Sequence, residues 1–495
     1  MYTLENRIDP IGIVDIGSNS IRLCVYDLAH RVPVPLFNEK AVCALGRGLG
    51  ASGRLNPDGV AAARVAVGRF VALCRAMAVD RLDILATAAV RDASDGAEFV
   101  ADLEQRCGAS IRVLSGAEEA QMAAMGVLCG SPDADGVVAD LGGGSLELVT
   151  VQQGAPGAHV TMPLGLLRLA EASGDDRARA QDLIERHLAG IPWLGEGRGR
   201  NLYAVGGAWR ALARFCIAQT GHPLSVLDNF ALEADVALRL LGLAAGQNRK
   251  GLERIGGLSR KRIPGLPLAA LILERVCRAV GPSRLVFSIY GMREGQFFRR
   301  LPETCRNEDP LLAICRRMAE RNSRFPAHGD ELLAWMAPLF PAESAHQARL
   351  RHAACLLSDI FWNEHPDYRA EQAFLRILRL PFMGVAHDDR AAIALTVACR
   401  YQGGDDIPAL AQAIQLLDED SVRRARVVGL ALRLAHTLSG GAPNLLRQTR
   451  LVAEPPYLVL EVPAANPAFA LDPDRAFDRL ARTMGCEALL VRRLG

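Results

Sequence analysis

Ile13-Val-Asp-Ile-Gly-Ser-Asn-Ser-Ile-Arg-Leu-Cys-Val-Tyr26 and Val138-Ala-Asp-Leu-Gly-Gly-Gly-Ser-Leu-Glu-Leu-Val149 repeat one pattern. In each, an apolar run ends in aspartate, a turn of small residues follows, and a second apolar run begins. That order predicts a strand, a glycine-bearing hairpin and another strand. Asp15 aligns with Asp140, Gly17 with Gly142, Ser20 with Ser145 and Leu23 with Leu148. Two such copies about 125 residues apart predict a duplicated α/β domain whose similar phosphate loops face each other across a cleft.

The intervening sequence alternates accordingly. Residues 60–78 carry apolar side chains at helical spacing, 82–87 read as a strand and 117–128 as a helix. In the second copy, Leu202 to Val205 is a strand running into Gly206-Gly207 and a helix, and Leu285 to Ile289 is a strand running into the turn Tyr290 to Gly295. From about Leu301 strand-like runs give way to helical patterns at 311–321, 331–336, 348–361, 390–400 and 422–438, with 305–310 as a linker. Strands at 450–453 and 457–462, a helix at 474–483 and a strand at 488–491 predict a small closing β-β-α-β piece.

At 495 residues the chain is too long for one core, and about three domains are expected. A formal net charge of +2 is too small to indicate a polyanion-binding protein by itself and gives no reason to expect a DNA partner, so phosphate affinity must come from local clustering. Twelve cysteines without a C-x-x-C pair, several of them in apolar stretches, read as reduced, buried thiols of a cytoplasmic protein. No basic-then-apolar leader and no run of about 18 apolar residues is found, which predicts neither secretion nor membrane spanning.

The chemistry-bearing residues cluster at the repeat. Ser18, Asn19 and Ser20 in the first turn, and Gly142, Gly143, Gly144 and Ser145 in the second, offer free backbone N–H groups and close approach to phosphate oxygens. Asp15 and Asp140, each beside such a loop, are candidates to hold Mg²⁺ directly or through its waters. Glu147 lies two residues beyond the glycine loop, and Glu118 and Glu119 open a helix; a hydrolase needs one carboxylate to take a proton from water. The residue types alone leave Glu118 and Glu119 equal. Arg22, Arg91, Arg210 and Arg293 lie where a strand meets a loop and are placed to neutralise a transferring phosphoryl group.

Six segments, Asp15-Ile-Gly-Ser-Asn-Ser20, Thr87-Ala-Ala-Val-Arg91, Leu114-Ser-Gly-Ala-Glu-Glu-Ala120, Asp140-Leu-Gly-Gly-Gly-Ser-Leu-Glu147, Val205-Gly-Gly207 and Gly291-Met-Arg-Glu-Gly295, occur in the order found in one family. The chain resembles the exopolyphosphatase and guanosine pentaphosphate phosphohydrolase (Ppx/GppA) family, most of all an exopolyphosphatase. The resemblance implies a pair of actin-like (ASKHA), ribonuclease-H-like α/β domains at 1–130 and 131–305 with the active site in their cleft. It implies dependence on Mg²⁺ or another divalent cation, and processive release of orthophosphate from inorganic polyphosphate. Carried over by position, Glu119 takes the place of the water-activating base, Arg91 and Asn19 those of phosphate contacts, and Asp140 and Glu147 those of the other acidic groups. Guanosine pentaphosphate is the alternative substrate, and a kinase or a non-catalytic polyphosphate or nucleotide sensor would be a different class of answer.

The same resemblance implies an all-α HD-like domain at 306–440, a small α+β cap at 441–495 and a homodimer. Within Leu356-Leu-Ser-Asp-Ile-Phe361, Ser358 stands where the HD histidine would be, and His365 is followed by Tyr368 and Arg369 where a further histidine would be expected. Such a domain, its metal ligands degenerate, would be a grip or a dimerisation module rather than a second active site. Arg260, Lys261 and Arg262, with Arg316, Arg317, Arg321 and Arg324, are candidates for a basic track along a phosphate polymer.

Overall fold

Both copies of the repeat fold as antiparallel hairpins, β1 (Pro10–Ile16) with β2 (Ser20–Asp27) and β6 (Gly136–Leu141) with β7 (Leu146–Gln152), in a computed structural model that describes residues 9–174, 176–402, 411, 414–471 and 473–493. Each hairpin is extended by a third antiparallel strand, β3 (Phe37–Val42) or β8 (Ala155–Met162), and flanked on its other side by a parallel strand, β4 (Arg81–Ala86) or β9 (Asn201–Val205). The first sheet closes with β5 (Ile111–Val113) in the order β3-β2-β1-β4-β5. The second adds β10 (Phe230–Glu233) and β11 (Arg284–Phe287) in the order β10-β11-β9-β6-β7-β8. Apart from the antiparallel edge strand β10, the two sheets share one topology, so the sequence repeat is a duplication of architecture.

Apolar spacing explains the covering helices. Helix Pro57–Ala76 begins with Pro57, whose missing N–H is no loss at a helix start. It buries Ala63, Ala66, Val67, Phe70, Val71 and Cys74 in the same core as Val14, Leu23 and Ile84 of the first sheet. The second sheet's core gathers Val137, Leu148 and Leu202 with Trp209, Phe215 and Leu273 from its own helices.

Two helices join the halves of this unit. Helix Gly116–Gly130, leaving β5, packs Ala120, Ala124, Val127 and Leu128 against Val138, Val149 and Val205 of the second sheet. Helix Met292–Arg300, leaving the second sheet, returns to the first: Glu294 Oε1 accepts from the Tyr26 hydroxyl at 2.8 Å, and Asp83 accepts from Gln296 and Arg300 at 2.6 and 2.9 Å. The helices touch backbone to backbone, since a β-carbon on Gly295 would lie 1.9 Å from the Met122 carbonyl oxygen.

Compact units cover Met1–Glu308 and Asp309–Gly495. The second comprises helices Pro310–Asn322, His328–Trp335, Ala345–Leu357, Arg369–Ile377, His387–Tyr401 and Glu419–Ser439, then strands β12 (Arg450–Glu454), β13 (Tyr457–Pro463) and β14 (Glu487–Arg493), with helix Asp474–Thr483 before the last strand. The expected linker at 305–310 overlaps the end of a helical turn, Glu303–Arg306, and the first residue of helix Pro310–Asn322. Helix Arg369–Ile377 was not among the expected helices: its buried face is only Ala370, Ala373, Phe374 and Ile377, set among charged residues. No helix among the described residues is long and apolar enough to cross a membrane.

Candidate functional site

Identical bonds close the two hairpins. Gly17 N–H donates to Ser20 O at 3.2 Å, and Gly142 N–H donates to Ser145 O at 3.0 Å. The register sets Asp15 opposite Arg22 and Asp140 opposite Glu147, so the duplicated hairpins present the same aspartate beside partners of opposite charge. The turns meet: a β-carbon on Gly144 would lie 2.9 Å from Ser18 Oγ and 3.1 Å from Ala88 Cβ, a gap only glycine leaves open. Between them lies a cavity of about 230 Å³.

Of the residues proposed from sequence, Ser18, Asn19, Ser20 and Arg22 line this cavity from the first half, and Gly142, Gly143, Gly144 and Ser145 from the second. Asp15, Asp140, Glu119, Glu147, Arg293 and Arg262 line it as well. Arg91 does not line it but reaches its edge, donating from Nη1 to Glu119 Oε2 at 2.9 Å and to the Leu114 carbonyl at 3.0 Å. Lys261 lines a neighbouring cavity, and Arg260 is exposed and lines neither. Gly206 brings the end of β9 against Asp140: its φ is +119°, and a β-carbon there would stand 2.5 Å from Leu141 O and 3.3 Å from Asp140 Oδ1.

Local geometry separates the two adjacent glutamates. Ser115 Oγ accepts from Glu118 N–H at 3.2 Å and Glu118 Oε2 accepts from Ser115 N–H at 2.9 Å, a capping box that occupies Glu118 at the helix start. Those local bonds hold the Glu118 carboxyl below its usual range. Glu119, one position on, turns into the cleft.

There the carboxylates crowd. Burial pushes Glu119 up to about 7, Arg91 opposing and Asp140 and Asp15 adding to the rise. Burial raises Asp140 to about 6, with Arg210 opposing, and raises Asp15 with Arg293 and Arg22 opposing. Burial, then the charges of Glu119 and Asp140, drive Glu147 well above the carboxylate range. Glu147 Oε1 is buried with no hydrogen-bond partner among the described residues.

An all-oxygen donor set, mutually repelling and with one orphaned oxygen, fits a hard divalent cation. No three ligating side chains converge among the described residues. Asp140 and Asp15 are the carboxylates that would hold such an ion.

Among the carboxylates, Arg22, Lys40, Arg210, Arg262 and Arg293 line the same cavity. Lys40 is the residue that sequence reading missed. It sits on β3 directly across from Arg22, and the sequence of that strand, Phe-Asn-Glu-Lys-Ala-Val, has no apolar alternation to mark it. Burial, then the neighbouring Arg262, Arg22, Arg210 and Arg293, pull the Lys40 ammonium down to about 8.

In the second unit Ser358 is buried, donating to Cys355 O at 2.8 Å and lying 3.1 Å from His436 Nε2. Asp359 is taken by Arg324, at 3.0 and 2.7 Å. His365 is a surface residue paired with Asp367 at 3.8 Å, far more exposed than the buried His328 and His436. Arg317 is buried, and Arg316 pairs with Asp330 at 3.4 Å, so three of the four helical arginines considered for a polymer track are engaged within the unit.

Residues 24–304 match the Ppx/GppA phosphatase family and residues 311–491 match the exopolyphosphatase C-terminal family. Exopolyphosphatase 2 of Mycobacterium tuberculosis (strain H37Rv) is 33% identical over 311 residues, covering 58% of this chain and 96% of that protein. Exopolyphosphatase 1 of the same strain is 26% identical over 307 residues, covering 59% and 88%. Among solved structures, an exopolyphosphatase from Cytophaga hutchinsonii superposes with a TM-score of 0.52 at 22% identity, over 58% of this chain and 96% of that one. That likeness, with the duplicated sheets, gives the first unit an actin-like α/β fold. The paired hairpins, the cleft they enclose and the span of sequence that matches lead to one statement: the chain belongs to the Ppx/GppA phosphatase family.

Proposed function

We propose that this hydrolase is an exopolyphosphatase that removes the terminal phosphate of inorganic polyphosphate, one residue at a time and processively, releasing orthophosphate. The observation that carries the reading is a single cavity lined by five cationic and four acidic side chains together with the turns of the two glycine-bearing hairpins. In this reading the cations and the loop N–H groups hold the terminal phosphates. Water attacks the terminal phosphorus, Glu119 takes its proton, and the bond from that phosphorus to the bridging oxygen breaks, leaving a chain one phosphate shorter. Arg91 orients Glu119, and Arg293 and Arg22 neutralise charge on the transferring group. Bound at Asp140 and Asp15, a divalent cation such as Mg²⁺ supplies charge neutralisation at the phosphate oxygens. The helical unit is read as a degenerate HD-like dimerisation module of a cytoplasmic homodimer.

One observation favours a second reading. A cavity of about 540 Å³ adjoins the cleft, sharing Asn19, Leu166, Leu167, Ala208 and Arg262 with it and walled further by Pro264, Leu266 and Leu271. Polyphosphate has no use for an apolar wall, whereas the nucleoside of guanosine pentaphosphate does. Orthophosphate release from long polyphosphate and from guanosine pentaphosphate, measured side by side with Mg²⁺ and with chelator, tests both. Preference for polyphosphate and loss in chelator support the first reading, preference for the nucleotide supports the second, and release from neither removes the enzyme reading.

Lys40 adds a pH test. A lysine lowered to about 8 is charged below that value and neutral above it, so its pull on phosphate weakens as pH rises through 8. KM for polyphosphate is expected to climb between pH 7 and 9 in the wild type and to start high and stay flatter in Lys40→Met; parallel KM profiles would remove Lys40 from substrate binding.

A further inference from the structure

Four charged side chains alternate in sign along a line leading out of the cleft. Glu119 Oε2 accepts from Arg91 Nη1 at 2.9 Å, Arg91 Nε donates to Asp92 Oδ1 at 3.3 Å, and Asp92 Oδ2 accepts from Arg168 Nη2 at 2.9 Å. Side-chain exposure rises outward, from 13% at Glu119 through 22% at Arg91 to 28% at both Asp92 and Arg168. Arg91 and Asp92 belong to helix Ala88–Asp92 of the first half, and Arg168 to helix Leu166–Ser173 of the second.

The placement of that second helix matters. Its first N–H groups, of Leu166 and Leu167, donate to Gly142 O and Gly143 O at 3.1 and 2.9 Å, so its backbone is tied to the second glycine loop. One turn past Arg168, Glu171 Oε1 accepts from the backbone N–H of Gly48 in the first half at 2.8 Å. The helix is therefore fastened to one half by its backbone and reaches the other through two side chains.

We propose that Arg168 is a positioning residue: by holding the outer oxygen of Asp92 from across the cleft, it sets the Arg91 guanidinium and through it the Glu119 carboxylate, tying the water-activating group to closure of the two halves. The mechanism is competition for one fork. With Arg168 in place, Asp92 divides its oxygens between two arginines. Without it, both oxygens are available to the Nε and Nη2 edge of Arg91, a planar fork that suits a bidentate carboxylate, and turning the guanidinium plane to meet them changes the angle at which Nη1, on its far side, reaches Glu119. Half-exposed ion pairs contribute little to stability, so the consequence falls on geometry, where a displacement of about 1 Å at a reacting group can cost on the order of a hundredfold in rate.

The proposal rests on Glu119 acting as the base, and the test separates the two. With the full-length protein, orthophosphate release from long polyphosphate is measured for Arg168→Ala, Arg168→Lys, Asp92→Asn, the Arg168→Ala/Asp92→Asn double variant and Glu119→Gln, each with its melting temperature. Arg168→Ala is expected to lower kcat about tenfold to a hundredfold with KM and melting temperature nearly unchanged. Arg168→Lys should recover part of the loss, and the double variant should be no worse than the poorer single one, the non-additivity of groups acting in series. Wild-type kcat in Arg168→Ala while Glu119→Gln is inactive would overturn the positioning role alone. So would additive losses, or a fall in kcat that follows melting temperature and is not relieved by lysine. An active Glu119→Gln would overturn both the base assignment and the inference built on it.

Discussion

Glu119→Gln is expected to lower turnover on polyphosphate by about a hundredfold to ten-thousandfold, with the melting temperature nearly unchanged. Glutamine keeps the shape of the side chain and an oxygen for Arg91 Nη1, now 2.9 Å from Glu119 Oε2, but it cannot take a proton from water. Burial, opposed by Arg91, places the Glu119 carboxyl at about 7, so its basic form is present above that value and is lost as pH falls through it. The wild-type rate should decline on the acid side of about 7, and the residual rate of the variant should lack that limb. Initial rates of orthophosphate release from pH 5.5 to 8.5 check both statements, and turnover preserved in the glutamine variant would take Glu119 out of the chemistry. Glu118→Gln is the matched control. Glutamine serves at that position of a capping box, so its expected effect is a small loss of stability with turnover intact.

Gly295→Ala is expected to destabilise the first unit by about 2 kcal/mol, and the sign is set by two opposing effects. Inside helix Met292–Arg300 an alanine gains roughly 1 kcal/mol over glycine in helix propensity. Its β-carbon, however, would meet Met122 O at 1.9 Å, Met122 C at 2.9 Å and Gly126 N at 3.0 Å, all of them backbone atoms of the crossing helix. Backbone cannot rotate away as a side-chain tip can, so the helices must part, which puts the cost at the upper end of the roughly 1–3 kcal/mol typical of overpacking. The collision wins. Because the same crossing helix carries Glu119 at its start, activity should fall with stability. Chemical denaturation with a parallel rate measurement checks the pair of effects, and wild-type stability would mean that the crossing is looser than its backbone contacts indicate.

How far the site could be read beforehand varied with the range of the interactions behind each residue. Asp15 and Asp140, the turns after them and the strands on either side were legible because a hairpin is a local object: apolar alternation, a small-residue turn and a return strand lie within about fourteen residues. Arg91 was legible from its place where a strand meets a loop, whereas residue type alone left Glu119 and Glu118 equal. What separates them is the Ser115 capping box, which engages Glu118 and leaves the next position to face inward. Lys40 escaped notice because its short strand, Phe-Asn-Glu-Lys-Ala-Val, lacks apolar alternation. Its meaning comes from Arg22 across the sheet and from Arg210, Arg262 and Arg293, residues distant in sequence. Arg260, Lys261 and Arg262 look alike in sequence, yet only Arg262 enters the cleft. His365 drew attention by its place in a motif and lies at the surface, while the buried imidazoles are His328 and His436.

The chain's order of residues thus settled its duplicated α/β plan, the two loops and the aspartate beside each, because hydrophobic periodicity and turn chemistry act over a few residues and need no partner. Packing of the two halves decided which cations gather around the carboxylates, and how Arg168 reaches Glu119 through Asp92 and Arg91. Those outcomes depend on burial and on charges brought together from remote parts of the chain, and neither exists until the sheets have folded against each other.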